Sequence, residues 1–278
     1  MNNEVIKSPP DARDYPVSAA VDVLGVNIPD EYEVWQPPVE NQGGVGNCVA
    51  QSLANIMECI AHNYGEEHRD YSVGYIYGMS TYPGHGMIPR EACSILLDEG
   101  DVLREVWELL VENPICRNNR LKVSEDIKAQ ARKTAAYIRI NGINELKAFI
   151  LKYNLPVMLI APTSAFSEGA EGSHATVCYG WNKDGKLKFT NSWGLFYHDK
   201  GRGLCEYADM DEIWGIVPME KVKLTDIENH WAKKDIEYLV DLGIVKGYED
   251  NTYRPNNGIT RGEIAAMLAR IMRTIKGE

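Results

Sequence analysis

The chain has 278 residues, 44% of them hydrophobic and 25% charged. That is ordinary globular material, long enough for one large domain or two unequal ones. The formal charge of −11, from 29 basic and 40 acidic residues, argues against non-specific DNA or RNA binding, which needs a net basic surface. No apolar run approaches the roughly 18 residues of a membrane span.

The charge is uneven. Residues 221–278 hold ten basic and nine acidic residues, a balance of +1, and the remainder carries −12. An acidic body joined to a near-neutral tail suggests two units with different tasks.

Residues 1–40 read as irregular, because Pro9, Pro10, Pro16, Pro29, Pro37 and Pro38 keep helices short. Met1 to Ala20 is polar and lacks the apolar core of a secretory signal. The chain is therefore expected to stay inside, to leave by another route, or to have lost a leader. A glycine-rich turn, Asn41 to Asn47, runs into apolar residues at 49, 53, 56, 57 and 60. That spacing predicts a buried helix with Cys48 in its first turn and Asn47 as its N-cap. Residues 64–90, rich in Tyr and Gly, read as loop. Helices are expected near 90–99, 102–111 and 144–152. The pattern then changes to strands at 157–160, 175–180, 187–191 and 203–207, separated by Gly, Asp and Lys turns. Helices first and strands second indicate an α+β fold, the second half curling into a small antiparallel barrel. Residues 218–223 read as a linker to two further helices, 231–242 and 261–275, the first ending at Gly243.

The six cysteines, Cys48, Cys59, Cys93, Cys116, Cys178 and Cys205, form no CxxC pair. Their spacing carries no zinc or redox signal, and all but Cys48 read as core thiols or at most two bridges. The histidines other than His174 match no metal-ligand motif. No metal or cofactor is expected.

A thiol at a helix N-terminus feels unpaired amides and the helix dipole, which favour the thiolate. A nucleophile also needs a base, a group that orients the base, and a donor for the developing oxyanion. His174, at the mouth of a strand, Asn191, at the end of another, and Gln42, six residues before Cys48, fill those places.

The order Gln42, Cys48, His174 and Asn191-Ser192-Trp193-Gly194 resembles the papain-like cysteine peptidases over roughly Ile28 to Val217. The resemblance implies a two-lobed fold, a helical lobe beside an antiparallel β-barrel lobe, acting on polypeptide. It implies that Cys48 attacks the scissile carbonyl as a thiolate paired with a His174 imidazolium. Asn191 would hold the His174 ring, Trp193 would shield that bond, and Gln42 would stabilise the oxyanion. Val45 stands where many members carry a disulfide cysteine. The segment Ser8 to Tyr15 is similar to the leader of prokaryotic members, so a long inhibitory prosegment is not expected. The alternatives left open are an inactive papain-fold adaptor and a peptidase of peptidoglycan cross-bridges.

The tail contains His230-Trp231-Ala232, Gly247-Tyr248, Arg254-Pro255-Asn256 and Ile259-Thr260-Arg261-Gly262-Glu263, and resembles one S-layer homology domain. That family anchors proteins to secondary cell-wall polysaccharide. Thr260 and Glu263 also have capping-box spacing. Arg261, at a helix N-terminus that favours anions, is the expected ligand contact, with Asp226 and Trp231 as further candidates. The domain limits are expected at 1–27 for an N-terminal extension, 28–219 for the peptidase and 220–278 for a small all-α wall-binding unit. A single unit of this size buries little core, so a trimer between chains is a further expectation, and the domain content points to the bacterial surface.

Overall fold

The computed structural model describes residues 5–9, 11, 14–17, 21–66, 69–80, 86–107, 124–219, 224–241, 244–248 and 250–276. Two short strands, β1 (Tyr15–Pro16) and β2 (Tyr32–Glu33), precede the helices α1 (Cys48–Asn63), α2 (Val73–Gly78) and α3 (Pro89–Asp98). A single turn, α4 (Glu125–Lys128), comes before β3 (Thr134–Arg139), α5 (Ile143–Tyr153), β4 (Val157–Pro162), β5 (Ser173–Trp181), β6 (Leu187–Thr190), β7 (Arg202–Cys205) and β8 (Glu212–Pro218). The helices α6 (Lys233–Asp241) and α7 (Arg261–Lys276) close the order. Two compact units result: residues 1–122 with 131–218, and residues 123–130 with 219–278.

In the larger unit, helix α1 is the axis. Thirteen of its sixteen residues are buried, Gln51, Ser52 and Glu58 among them, and it packs on β5, α2 and α3. The strand order is β1-β3-β8-β4-β5-β6-β7, with β2 added to β5. Every pairing is antiparallel except β1 with β3. The run Val157-Met158-Leu159-Ile160-Ala161 is the central strand β4, buried at all five positions, as a continuous apolar run requires. Helix α5 covers one face, its Phe149 filling the core with Trp181 and Phe189. A Cβ at Gly215 of β8 would meet the Phe149 ring at 2.6 Å, so glycine there lets the strand approach the helix.

Several expectations change. The 64–90 stretch contains α2, whose N-cap Ser72 accepts the Tyr75 N–H; a six-residue helix is too short for periodicity to reveal it. Residues 102–107 are not helical. Leu103 bridges to Tyr71 instead, and residues 108–111 lie outside the described residues, as do Gly243, Cys116, His68 and His85. Strands β3 and β8 are additional to those expected: Thr134–Arg139 mixes buried and exposed positions without clean alternation, and Glu212–Pro218 is a short buried run that opens on a carboxylate.

The smaller unit holds α6, α7 and α4, with α4 packed on α7. Residues 123–130 thus cluster here, although the expected boundary placed them with the peptidase. Its core is Leu224, Ile227 and Ile236, joined by Ala232, Val240 and Tyr253. Among the described residues no helix is long and apolar enough to cross a membrane.

Candidate active site and the C-terminal unit

Cys48 is the first residue of α1 and is buried. The backbone amides of Ala175, Val49 and Cys48 itself lower its pKa. Burial outweighs them and pushes the thiol up to about 11. Asn47 occupies the N-cap position without a side-chain cap bond; its φ of −107° and ψ of 19° lie outside the extended region that aims a cap side chain at the amides of the first turn.

His174 is the second residue of β5 and is buried. Its Nε2 lies 2.8 Å from Asn191 Oδ1. The Ser192 N–H donates to the same oxygen at 2.7 Å. An atom facing an amide donor is the carbonyl oxygen of Asn191, so His174 Nε2 carries the proton and Nδ1 keeps its lone pair. Burial lowers the His174 pKa to about 4, against the Asn191 hydrogen bond, which raises it. As isolated groups, thiol and imidazole are both neutral at pH 7.

Trp193 stacks on the His174 ring at 4.5 Å between centroids and 24° between planes. Phe166 meets the same ring edge-on at 5.9 Å, and Tyr197 stands against Trp193 at 4.9 Å and 87°. The His174–Asn191 hydrogen bond is thereby enclosed by aromatic groups, which strengthens it by excluding water. The chain turns sharply after Trp193: Gly194 has φ +78°, and a Cβ there would meet the Asn41 side chain at 3.1 Å.

Gln42 is buried. Its Nε2 donates to Val45 O at 2.8 Å, and its Oε1 accepts from Ser192 Oγ at 2.5 Å. One Nε2 proton remains for a ligand. Gln42, His174, Asn191 and Trp193 therefore come from three segments joined by hydrogen bonds and stacking, and Cys48 follows the glycine turn that holds Gln42. Ser192, Phe166 and Tyr197 were not singled out from sequence. Ser192 sat within the Asn191 motif and could have been; Phe166 and Tyr197 carried no signal. The five described cysteines are free and buried. Among the described residues no group of three or more His, Cys, Asp and Glu side chains could hold a metal ion.

In the smaller unit, Asp226 accepts the Tyr253 and Arg254 N–H groups at 2.8 and 2.7 Å, which lower its pKa, Tyr253 foremost. That gives it the structural task of closing the 248–254 loop. Asp250 fixes the same loop through Thr252 and Arg254, and the Arg254 guanidinium lies 4.0 Å over the Tyr248 ring. Thr260 and Glu263 form the reciprocal capping box: Glu263 Oε2 accepts from the Thr260 N–H at 2.7 Å, and Thr260 Oγ1 accepts from the Glu263 N–H at 3.2 Å. Arg261 opens α7 and is exposed. Trp231 is 87% exposed, so it is not a core residue.

Residues 223–265 match the S-layer homology domain. A cellulosome-anchoring protein of Acetivibrio thermocellus is 52% identical over 50 residues, 18% of this chain and 11% of that protein. The outer membrane protein SlpA of Deinococcus radiodurans is 44% identical over 50 residues, 18% of this chain and 4% of that protein. The chain thus spans a small fraction of these relatives' length, and the likeness is confined to this domain. The fold of the larger unit is similar to xylellain, a cysteine protease from Xylella fastidiosa, with a TM-score of 0.65 and 20% identity, covering 78% of this chain and 96% of that one. It is also similar to the Carica candamarcensis cysteine protease CMS1MS2 in complex with E-64, with a TM-score of 0.55 and 18% identity, covering 69% and 100%. The chain carries a papain-like α+β fold followed by an S-layer homology domain.

Proposed function

We propose that the larger unit hydrolyses peptide bonds through Cys48 and His174, and that the S-layer homology domain holds it at a bacterial envelope by binding secondary cell-wall polysaccharide. The carrying observation is the 2.8 Å contact of His174 Nε2 with Asn191 Oδ1. Asn191 Oδ1 accepts from Nε2, which leaves Nδ1 as the base for the thiol at the start of α1.

The steps follow from these groups. The Cys48 Sγ–H proton moves to His174 Nδ1, and the sulfur attacks the scissile carbonyl carbon. Charge develops on the carbonyl oxygen. The remaining Gln42 Nε2 proton and the Cys48 backbone N–H, an orphan donor of the first helical turn, stabilise it. As the tetrahedral adduct collapses, the imidazolium proton passes to the leaving nitrogen, the C–N bond breaks and a thioester remains. Water then gives a proton to His174, attacks the thioester and releases the carboxylic product and the thiol. Trp193 and Phe166 keep bulk water from the Asn191 hydrogen bond throughout.

Burial alone favours the neutral pair, so charge separation depends on mutual attraction of the two ions, which is strong in a dry site. Tethering raises the local concentration of enzyme near wall-bound proteins. The α7 residues Ile264, Leu268 and Met272 are exposed at helical spacing, and a core built on three residues gains from covering them. They support the trimer, which sedimentation velocity over a wide concentration range tests. Turnover of a fluorogenic peptide library by the full chain, compared with Cys48→Ala, tests the peptidase reading. Equal, negligible turnover by both favours an inactive adaptor.

A further inference from the structure

Two side chains beside the His174–Asn191 pair carry polar atoms that the peptide chemistry leaves unused. Asn191 Oδ1 is fully engaged, accepting from His174 Nε2 at 2.8 Å and from the Ser192 N–H at 2.7 Å. Asn191 Nδ2 has two hydrogens to give. It is buried and makes no hydrogen bond among the described residues. The same holds for the hydroxyl oxygen of Thr176. Thr176 is 1% exposed and Asn191 2%. A buried polar atom without a partner is costly, and a donor and an acceptor left over side by side point to one bond.

The sheet register sets them side by side. Strands β5 and β6 are antiparallel, with Cys178 opposite Phe189 and Val177 opposite Thr190. One step further, Thr176 faces Asn191, and two residues beyond that His174 faces Trp193. The His174 and Trp193 rings stack at 4.5 Å, so the register continues past the end of β6. Residues two apart share a face, which puts Thr176 on the face of His174 and Asn191 on that of Trp193. Directly opposed residues have Cβ atoms about 5 Å apart, within reach of a hydroxyl-to-amide hydrogen bond. On its other edge Thr176 is opposite Leu159 of β4, a buried apolar residue. Packing alone asks for valine there, which has the shape of threonine and no hydroxyl to satisfy.

Tyr197 stands at the same amide. Burial raises its pKa and the Asn191 side chain lowers it, while its own hydroxyl proton goes to Phe166 O. The Asn191 nitrogen thus has two hydroxyl oxygens near it, one for each hydrogen.

We infer that Thr176 is a positioning residue of the Cys48 site, a role that rests on the peptidase reading of that site: its hydroxyl oxygen accepts an Asn191 Nδ2 hydrogen and fixes which end of the amide faces His174. The consequence reaches the base. With the amide reversed, Nδ2 would meet both His174 Nε2 and the Ser192 N–H. Nε2 would then have to accept, the ring proton would move to Nδ1, and no lone pair would remain there to take the Cys48 proton. The Ser192 N–H holds the oxygen end of Asn191, and Thr176 with Tyr197 holds the nitrogen end.

The test compares the full chain with two variants. Thr176→Val keeps the shape and removes the hydroxyl; Thr176→Ser keeps the hydroxyl and removes the methyl group. Nitrogen NMR of isotope-labelled histidine at neutral pH, with His174 assigned through His174→Gln, reads the ring tautomer without any turnover. Wild type and Thr176→Ser should show the Nε2–H form alone, and Thr176→Val a mixture of the two tautomers. On a fluorogenic peptide, kcat of Thr176→Val should fall about fivefold with KM little changed, in step with the remaining Nε2–H fraction. Thr176→Ser should restore most of that loss. The Nε2–H form alone in all three proteins, or equal losses of kcat in the two variants, overturns the role of Thr176. The peptidase reading fails separately if Thr176→Val shows the mixed tautomer while the wild type cleaves no peptide.

Discussion

The Ser192 hydroxyl donates to Gln42 Oε1 at 2.5 Å, and the Gln42 backbone N–H donates back to Ser192 O at 2.8 Å. This two-point clamp joins segments 150 residues apart. It also couples two tasks, because Ser192 follows Asn191, the partner of His174. Replacing Gln42 by Ala removes an oxyanion donor and is expected to lower kcat by about 10²–10³. Ser192→Ala leaves the donor in place but frees its orientation. Its expected loss in kcat is smaller, about tenfold, with KM little changed and Ser192→Thr restoring much of it. Steady-state kinetics on a peptide substrate reads both; equal losses for Ser192→Ala and Ser192→Thr would contradict the clamp.

The reactivity of Cys48 should follow pH in a particular way. Its pKa is raised to about 11 and that of His174 lowered to about 4, both by burial. Between those values the closed site is neutral, and the thiolate forms as pH rises. Iodoacetamide labelling of wild-type Cys48, followed by mass spectrometry, should therefore climb steadily from pH 7 to 10. A flat wild-type rate from pH 5 to 9 would count against the closed neutral site.

Glu58, on the inner face of α1, supplies a stability test. It lines a pocket with Gln51, Arg104, Thr176 and Asn191. Burial first, and the Asp70 charge next, push its pKa up to about 8 from 4.5. The folded state therefore binds more protons than the unfolded state between about pH 4.5 and 8, and stability falls as pH rises through that window. Glu58→Gln removes the titration. Its melting temperature should exceed wild type at pH 8 and approach it at pH 5. A constant difference across that range would show that Glu58 does not titrate there.

Much of this site was legible before the fold. The first turn of α1 announced Cys48, and the Asn191-Ser192-Trp193-Gly194 run announced the aromatic shield, because each is a contiguous motif with its own local geometry. Asn47 does not cap α1, because its φ and ψ lie outside the extended region a cap needs. Glu212 was invisible for another reason. It is one acid among many in sequence, and only the convergence of Ser8, Arg139 and Trp214 from distant segments gives it a role. Strand β3 was missed because it lacks clean alternation, and α2 because six residues make too little periodicity.

The Thr260-Arg261-Gly262-Glu263 turn separates folding from binding. Thr260→Ala breaks the capping box and should lower the melting temperature of the smaller unit, with any loss of polysaccharide binding following that unfolding. Arg261→Ala touches no bond of the box. It should weaken binding to purified secondary cell-wall polysaccharide at least tenfold with melting unchanged. Pull-down on wall fragments and calorimetry read the two separately; full binding by Arg261→Ala would remove Arg261 from the ligand site.

The central claim is an assembled thiol site at Cys48, and the most direct measurement is reaction of the reduced, folded full chain with the epoxide E-64, located by mass spectrometry. The account predicts a single adduct on Cys48, absent from Cys48→Ala and slowed at least tenfold in His174→Ala. No adduct on Cys48 in the reduced, folded wild type would contradict it.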